Sequence, residues 1–443
     1  MKQQKEKNWI LILFLFFLLS CYTVYKNNRA ITSKAVQDST HTIAFYPLEN
    51  ENDLNVLIKE MQRARVILLG ESTHGTHEFY TWRAAITKKL IEEKGFDFVA
   101  IEGDWTDTYK MNQFTKAAKH NKQEVIEVMK QYDRWPASMW SNYEMADLLQ
   151  WLNAYNQGNS HKIGLYGLDL YSFWEWAEQP VAIEDTAVQN AVEKLREFFS
   201  AYKNDAMKYA DALRHLKPDG SLITKNLWNH VQRFFHGKQP KDENNFVLYQ
   251  QSWLALDGER YFRTMIKDHV KAINLRDAHM AQTIERLLNF YGPKSKAVIW
   301  VHNGHAGDTR YSSVSSSGYV NLAEILRNTL SRKKIFSVGF GTYKGTVMAG
   351  YTWNAPVQKQ IVLPAKEGSW EYLLHKSSSQ NKIILSKNIM DNKTLNNWIE
   401  FRSIGAVYEG AAIYSRSIMP QRFDAFVFID STTAIDPIKN LKY

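Results

Sequence analysis

The segment VILLGESTHGTHE, residues 66–78, joins a short apolar run to a polar loop that contains glycine. Residues 66–69 have the length and the β-branched or apolar composition of a buried strand. A helical pattern follows over residues 76–93. A buried strand followed at once by a helix is typical of a βαβ unit, so this segment indicates an α/β fold.

Similar strands recur along the chain, each followed by polar residues, at residues 98–101, 162–168 and 297–301. Further helical patterns cover residues 142–155 and 319–330. The alternation predicts an α/β fold with a largely parallel sheet flanked by helices. Later strands are expected at residues 335–340, 346–350, 382–385 and 423–429.

Residues 182–291 are helical in pattern throughout, which predicts a helical insert that covers the edge of the sheet where the active site lies. Its aromatic side chains, among them Trp253, Tyr261 and Phe262, are expected in the core. A large apolar substrate would instead require some of them to line a cleft. We predict one α/β domain over residues 44–443.

The amino terminus has the features of an export signal. Lysines at positions 2, 5 and 7 precede an apolar run, residues 9–19, that is short for a membrane span. Cys21, the only cysteine, follows a stretch that resembles a lipobox, so we expect residues 1–21 to be a signal peptide with Cys21 as lipid anchor. The alternative is an uncleaved signal anchor. Both place the globular part outside the cytoplasmic membrane of a bacterial cell envelope, on a tether of residues 22–43.

The composition is that of an ordinary globular protein. The 443 residues are 44% hydrophobic, with 55 Lys and Arg against 46 Asp and Glu, a net charge of +9. Disordered chains, collagens and disulfide scaffolds are excluded. The positive charge is spread along the chain with no basic and aromatic module, so no nucleic-acid partner is expected.

Polar side chains converge where four predicted strands end. Ligands of open parallel sheets bind beyond the carboxyl ends of the strands, so a functional site is expected there. The residues that follow the strands are Glu71, Ser72, Thr73, His74, His77 and Glu78 after the first, Glu102 and Asp104 after the second, Asp169 after the third, and His302, His305 and Asp308 after the fourth.

These residue types suit hydrolysis by an activated water. No G-x-S-x-G elbow occurs, and Ser72 or Thr73 is expected to cap the following helix instead of acting as a nucleophile. A histidine held by a carboxylate can act as general base, with an arginine to stabilise an oxyanion. The pairs His74 with His77 and His302 with His305 leave bound zinc as an alternative to a site without cofactor.

Several motifs together resemble those of the erythromycin esterase family. Their order and spacing match over most of residues 60–350. They are Gly70 to Gly75 with Glu78-Phe79, Gly95-Phe96 through Ile101 to Trp105, Gly167-Leu168-Asp169, Arg276-Asp277 with Met280-Ala281, and His302 to His305. The resemblance implies hydrolysis of the macrolactone ester of 14-membered macrolides by water, without an acyl-enzyme or a bound metal.

The same resemblance implies roles for individual residues. It makes His74 the general base, Glu102 the essential glutamate, Arg83 a supporting arginine and His302 the essential late histidine, with His305 as its neighbour. The candidate substrate-binding residues are Glu71, His77, Glu78, Asp104, Asp169, Arg276 and His305.

The export signal leaves the substrate open. An exported enzyme of this kind could give macrolide resistance by destroying drug before entry, or hydrolyse another ester. A further alternative is a non-catalytic surface lipoprotein linked to polysaccharide production.

Overall fold

The computed structural model describes residues 43–132, 134–178, 183–202, 206–215, 219–410 and 413–438. The expected signal peptide, Cys21 and nearly all of the tether lie outside these residues. None of the helices within the described ranges is long and apolar enough to cross a membrane.

Eleven strands occur in the described part of the chain. They are β1 (Tyr46–Pro47), β2 (Val66–Leu69), β3 (Phe98–Asp104), β4 (Gly164–Asp169), β5 (Ala297–Trp300), β6 (Ile335–Gly350), β7 (Val357–Val362), β8 (Lys382–Leu385), β9 (Ile399–Ser403), β10 (Ile413–Ser417) and β11 (Ala425–Thr432).

Nine of these strands form one sheet in the order β1-β8-β11-β6-β2-β5-β3-β4, with β7 paired to β6. The six strands from β11 to β4 are all parallel, whereas β7 and β8 pair antiparallel with their neighbours. β9 and β10 form a separate antiparallel pair. The predicted α/β fold with a largely parallel sheet is confirmed.

Fourteen helices of the described residues surround the sheet. They are α1 (Asn55–Met61), α2 (His77–Lys94), α3 (Trp105–Ala117), α4 (Lys122–Met129), α5 (Tyr143–Gly158), α6 (Thr186–Phe199), α7 (Ala206–His215), α8 (Gly220–Phe234), α9 (Glu243–Met265), α10 (His269–Tyr291), α11 (Asn303–Ala306), α12 (Leu322–Thr329), α13 (Trp370–Ser377) and α14 (Met419–Arg422). Helices α6 to α10 lie between β4 and β5 in the chain, within the segment expected to be a helical insert.

The sheet separates two apolar layers. Val66 and Leu68 face one layer, which includes buried side chains of α6 to α10, among them Tyr261 and Phe262. Ile67 and Leu69 face the other, which includes side chains of α1 to α5. Alternate residues of a strand point to opposite faces, so a strand buried on both sides is apolar throughout.

Two expectations of local structure were wrong. Residues 335–350 form the single strand β6 instead of two strands, because β11 pairs with it through the intervening glycines, with Phe428 opposite Gly341 and Thr432 opposite Gly345. The cap of α2 is Thr76, not Ser72 or Thr73. The amide of His77, at the start of this helix, donates instead to the carbonyl of Thr433 at 2.9 Å.

Candidate active site

The polar loops meet at the carboxyl ends of β2, β3, β4 and β5, which are adjacent in the sheet. β2 lies between β5 and β6 in the sheet. After β2, the chain re-enters the sheet on one side of β2 as β5 and on the other side as β6. Such a reversal of strand order opens a crevice at the carboxyl edge.

His74 lies in the loop after β2 and is held by Glu71. Its Nδ1 atom is 2.9 Å from Oε1 of Glu71, and Nη2 of Arg83 donates to Oε2 of the same carboxylate at 2.6 Å. Glu71 and Arg83 are fully buried. The carboxylate therefore fixes the imidazole with its proton on Nδ1 and its Nε2 lone pair free.

Gly75 allows this loop to pass close to β6. A Cβ atom on Gly75 would overlap the carbonyl oxygen of Met348, which belongs to β6. The amide of Met348 donates to the Gly75 carbonyl at 3.0 Å. The backbone beside His74 is thus fixed to the sheet at a point where only glycine fits.

Glu102, near the end of β3, contacts three nitrogen donors. Its Oε1 atom lies 2.8 Å from Nη2 of Arg276 and 3.2 Å from Nε2 of His305. Its Oε2 atom accepts the backbone N–H of His302 at 2.7 Å. Burial alone would raise the pKa of Glu102, but His305 and Arg276 hold it well below the ordinary value, so Glu102 is an anion that organises its neighbours.

Arg276, on α10, joins two strand ends. Its Nε and Nη2 atoms donate to the two oxygens of Asp169 at 2.8 and 2.5 Å, in the forked geometry typical of an Arg–carboxylate pair. Its Nη2 atom also donates to Glu102, so one guanidinium links the ends of β3 and β4.

His305 lies beside this pair on α11. Its Nδ1 atom is 2.6 Å from Oδ1 of Asp277, and its Nε2 atom is 3.1 Å from Nη1 of Arg276. Against the effect of burial, Asp277 and Glu102 raise the pKa of His305 to about 10.

His302 differs from His74 in the position of its proton. Its Nδ1 atom accepts the N–H of Gly304 at 3.1 Å, so a neutral ring carries its proton on Nε2. That Nε2 atom is buried, and the backbone of Ser72 interacts with the same ring. Burial, assisted by His74, lowers the pKa of His302 to about 3, so the ring is neutral.

A cavity of about 390 Å³ lies beside His74, Glu102 and Arg276. His74, Glu102, Asp104, Asp169 and Arg276 line its polar side. Six aromatic residues also line the cavity: Tyr132, Trp135, Trp140, Tyr171, Phe262 and Trp353. The volume is within the range of small-molecule sites.

Two tryptophans from distant parts of the chain contribute to this aromatic lining. The rings of Trp135 and Trp353 have centroids 4.6 Å apart, and Nε1 of Trp135 donates to the carbonyl of Ala355 at 2.7 Å. Trp353 is 54% exposed, an unusual fraction for a large aromatic side chain that lines a cavity.

Asp104 lies on the polar side, at the end of β3. It pairs with Nε of Arg134 and accepts the N–H of Ser172 at 3.0 Å, while Arg134 also binds Glu175. Burial raises the pKa of Asp104 to about 7, although Arg134 opposes the shift.

The structure brings most of the sequence-derived candidates together, with three exceptions. The ring of His77 points to Glu144, with Nδ1 2.6 Å from the carboxylate and the side chain 44% exposed. Glu78 instead binds Thr433 on the surface. Arg83 lies behind Glu71 and does not line the cavity; the guanidinium that lines it beside Glu102 is that of Arg276.

The site residues predicted from the sequence do not include several residues that the structure places in or behind the cavity wall. Arg134, Trp135 and Trp353 lie in loops outside the strand ends, and no motif marks them. Asp277 is adjacent to Arg276 in a motif that the sequence did offer, but its contact with His305 depends on how α10 packs against α11.

The two rings of each H-x-x-H motif face different partners, since His77 faces Glu144 and His305 faces Asp277. No group of three or more His, Cys, Asp or Glu side chains within the described ranges is arranged to hold a metal ion.

Comparison with known proteins agrees with this architecture. The Bacillus subtilis protein named putative hydrolase YbfO is 23% identical over 428 residues, covering 87% of this chain and 89% of that protein. Erythromycin esterase type II of Escherichia coli is 20% identical over 424 residues, covering 89% of this chain and 96% of that protein.

Two solved structures share the fold. A succinoglycan biosynthesis protein superposes with a TM-score of 0.72 at 20% identity, covering 92% of this chain and 99% of the other. A mutant of the erythromycin esterase EreC in its open conformation gives 0.63 at 15% identity, covering 88% and 98%.

The family model for erythromycin esterase matches residues 91–432, most of the chain. The matched range begins after His74 and includes Glu102 and Arg276, which line the cavity, and His302, whose backbone N–H binds Glu102. Fold, site and family model agree, and the chain is therefore a hydrolase of the erythromycin esterase family.

Proposed function

We propose that this hydrolase opens the ester of a macrolactone by the attack of water, with His74 as the general base. The observation that carries the proposal is the contact between His74 and Glu71: the carboxylate holds Nδ1 at 2.9 Å while the ring lines the cavity. An imidazole held in this tautomer presents Nε2 to a water molecule.

The electrophilic side of the site supports the same reaction. Arg276 lines the cavity, and the ring of His302 lies beside that of His74 with centroids 4.9 Å apart. An ester carbonyl placed between His74 and Arg276 would develop its negative charge beside a guanidinium, the kind of arrangement that stabilises an oxyanion.

The steps balance with water and side chains alone. Nε2 of His74 removes a proton from water as the water oxygen bonds to the carbonyl carbon. The tetrahedral intermediate then collapses with cleavage of the bond to the ester oxygen. His74 returns its proton to the departing alkoxide, leaving a hydroxy acid in place of the lactone.

The shape of the cavity favours a large ring as substrate. Its lining combines charged side chains with six aromatic ones, of which Trp353 is exposed to solvent. A macrolactone has one apolar face and a rim of oxygens, and such a ring would cover the exposed indole. The resemblance to erythromycin esterase type II makes an erythromycin-like macrolide the first substrate to test, and hydrolysis of the drug would confer resistance.

For the cell we propose export and attachment to the membrane at Cys21, or by an uncleaved signal anchor. A second function is favoured by one comparison, the fold shared with a succinoglycan biosynthesis protein. It is the hydrolysis of another ester, or a non-catalytic role at the surface linked to polysaccharide production.

The test is mass spectrometry of erythromycin incubated with the purified protein. We expect the drug to gain the mass of one water with the wild type and with His77→Ala, whose ring points away from the cavity, but not with His74→Ala. Unchanged erythromycin with folded wild type would overturn the macrolide proposal. Equal turnover by His74→Ala would overturn the role of His74. An ester-bearing polysaccharide incubated with the same proteins tests the second function.

A further inference from the structure

His305 belongs to a buried cluster in which carboxylates outnumber arginines. Glu102, Asp169 and Asp277 are each at most 5% exposed, and Arg276 is 9% exposed. The imidazole of His305 lies between two of the carboxylates, with Nδ1 2.6 Å from Asp277 and Nε2 3.2 Å from Glu102.

The charges facing His305 come from three elements. Arg276 and Asp277 face it from α10, Glu102 faces it from β3, and the neutral ring of His302 precedes it in the chain. Three carboxylates with Arg276 alone would leave two uncompensated negative charges in the interior. Buried charges are costly unless they are paired, and His305 is the remaining group of the cluster that can become a cation.

The contacts of His305 also allow a neutral ring. Nη1 of Arg276 lies 3.1 Å from Nε2 of His305, and a neutral ring would accept from it there. The two arrangements differ only in the Nε2 proton. The excess of carboxylates decides between them, because a neutral ring would leave Asp277 without any cation.

We infer that Asp277 is a positioning residue of this site: its carboxylate holds His305 as an imidazolium, which is the second positive charge on Glu102. Asp277 is itself fixed, since its Oδ1 atom also accepts the N–H of Leu322 at 2.7 Å. The raised pKa of His305, about 10, agrees with this assignment.

The charge of His305 affects the proposed base, His74, through Glu102 and His302. Glu102 accepts the backbone N–H of His302, whose ring lies beside His74 with centroids 4.9 Å apart. Loss of the imidazolium would weaken the hold of Glu102 on its neighbours. This kinetic consequence rests on the proposed function, whereas the charge of His305 does not.

The experiment combines ¹⁵N NMR with a pH profile on the full-length chain. Asp277→Asn keeps an oxygen for Leu322 and His305 but removes the charge. In histidine-labelled wild type, with His305 assigned from its absence in His305→Asn, we expect both ring nitrogens to carry protons from neutral pH to about pH 9. In Asp277→Asn, His305 should lose its proton at least about tenfold more readily.

Hydrolysis of erythromycin should follow the same change. The alkaline limb of the kcat profile should move to lower pH in Asp277→Asn, so that kcat at pH 9 relative to pH 7 falls at least about twofold. Asp277→Glu, which keeps the charge, should retain the wild-type limb. Asp257→Asn breaks a matched pair with His279 outside the site, where Nδ1 is 2.9 Å from the carboxylate, and should leave both readouts unchanged.

Each outcome decides a separate point. A neutral His305 in the wild type at pH 7 overturns the assignment, and an unchanged His305 charge in Asp277→Asn overturns the role of Asp277. A uniform loss of kcat at every pH indicates a structural role only and also overturns it. Absence of hydrolysis by the wild type contradicts the proposed function, while the NMR titration still decides the charge.

Discussion

His74 and His302 lie side by side with ring centroids 4.9 Å apart and planes inclined by 46°. The two rings differ at Nδ1, because Nδ1 of His74 faces the Glu71 carboxylate and carries a proton, whereas Nδ1 of His302 accepts from the Gly304 amide. One ring therefore offers a lone pair at Nε2 and the other offers an N–H. Of the two rings, that of His74 lines the cavity, where a lone pair at Nε2 suits a general base for the attack of water on a carbonyl.

Replacing Glu71 by Gln should lower kcat on erythromycin by about 100-fold or more, because the amide no longer fixes the His74 tautomer. The unpaired Arg83 should also lower the free energy of unfolding by about 3–5 kcal/mol. Steady-state kinetics and urea denaturation measure the two effects. Glu78→Gln changes a surface carboxylate close in the chain and is the control; wild-type kcat in Glu71→Gln would contradict the assigned role.

His302 should make the protein less stable in acid. Its pKa, 6.5 when unperturbed, falls to about 3 in the folded state, so between these values the unfolded chain binds the extra proton. The free energy of unfolding should therefore decrease as the pH falls from 6.5 towards 3, by up to about 1.4 kcal/mol per pH unit from this group. Urea denaturation at several pH values should show a shallower slope in His302→Asn. An identical slope would refute the lowered pKa.

Trp353→Ala should affect large substrates selectively. The exposed indole packs against Trp135, and its loss should raise KM for erythromycin by up to about tenfold while kcat on 4-nitrophenyl acetate stays unchanged. Leu222, 65% exposed on α8, gives the matched control Leu222→Ala. An equal loss on both substrates would argue against a binding surface at Trp353.

Gly75→Ala should displace the loop that holds His74. The added Cβ would overlap the Met348 carbonyl, so we expect a lower kcat and a loss of about 1–3 kcal/mol in the free energy of unfolding. Gly158→Ala places its Cβ where no atom lies within 4 Å, and should change either quantity little. Thermal denaturation and kinetics compare the two, and a Gly75→Ala protein that matches Gly158→Ala would show that the loop tolerates the side chain.

Much of the fold could be predicted because it depends on local pattern. The run from Val66 to Leu69 is apolar throughout, as expected for a strand covered on both faces. β6 was expected as two strands, at residues 335–340 and 346–350, but the residues between them pair with β11 and continue the strand. Backbone conformation at glycine depends on its partners more than on its own preferences.

The chain by itself determined which chemistry is available and at which edge of the sheet it collects. His74, Glu102, Asp169 and His302 each lie at or just beyond the end of a parallel strand, so their convergence follows from strand order alone. Tertiary structure decided which of them face the cavity, where His77 turns away and Arg276 lines the polar side. It also decided the charge states, because the position of a proton depends on burial and on partners distant in the chain, such as Asp277 beside His305, and sequence proximity does not encode these contacts.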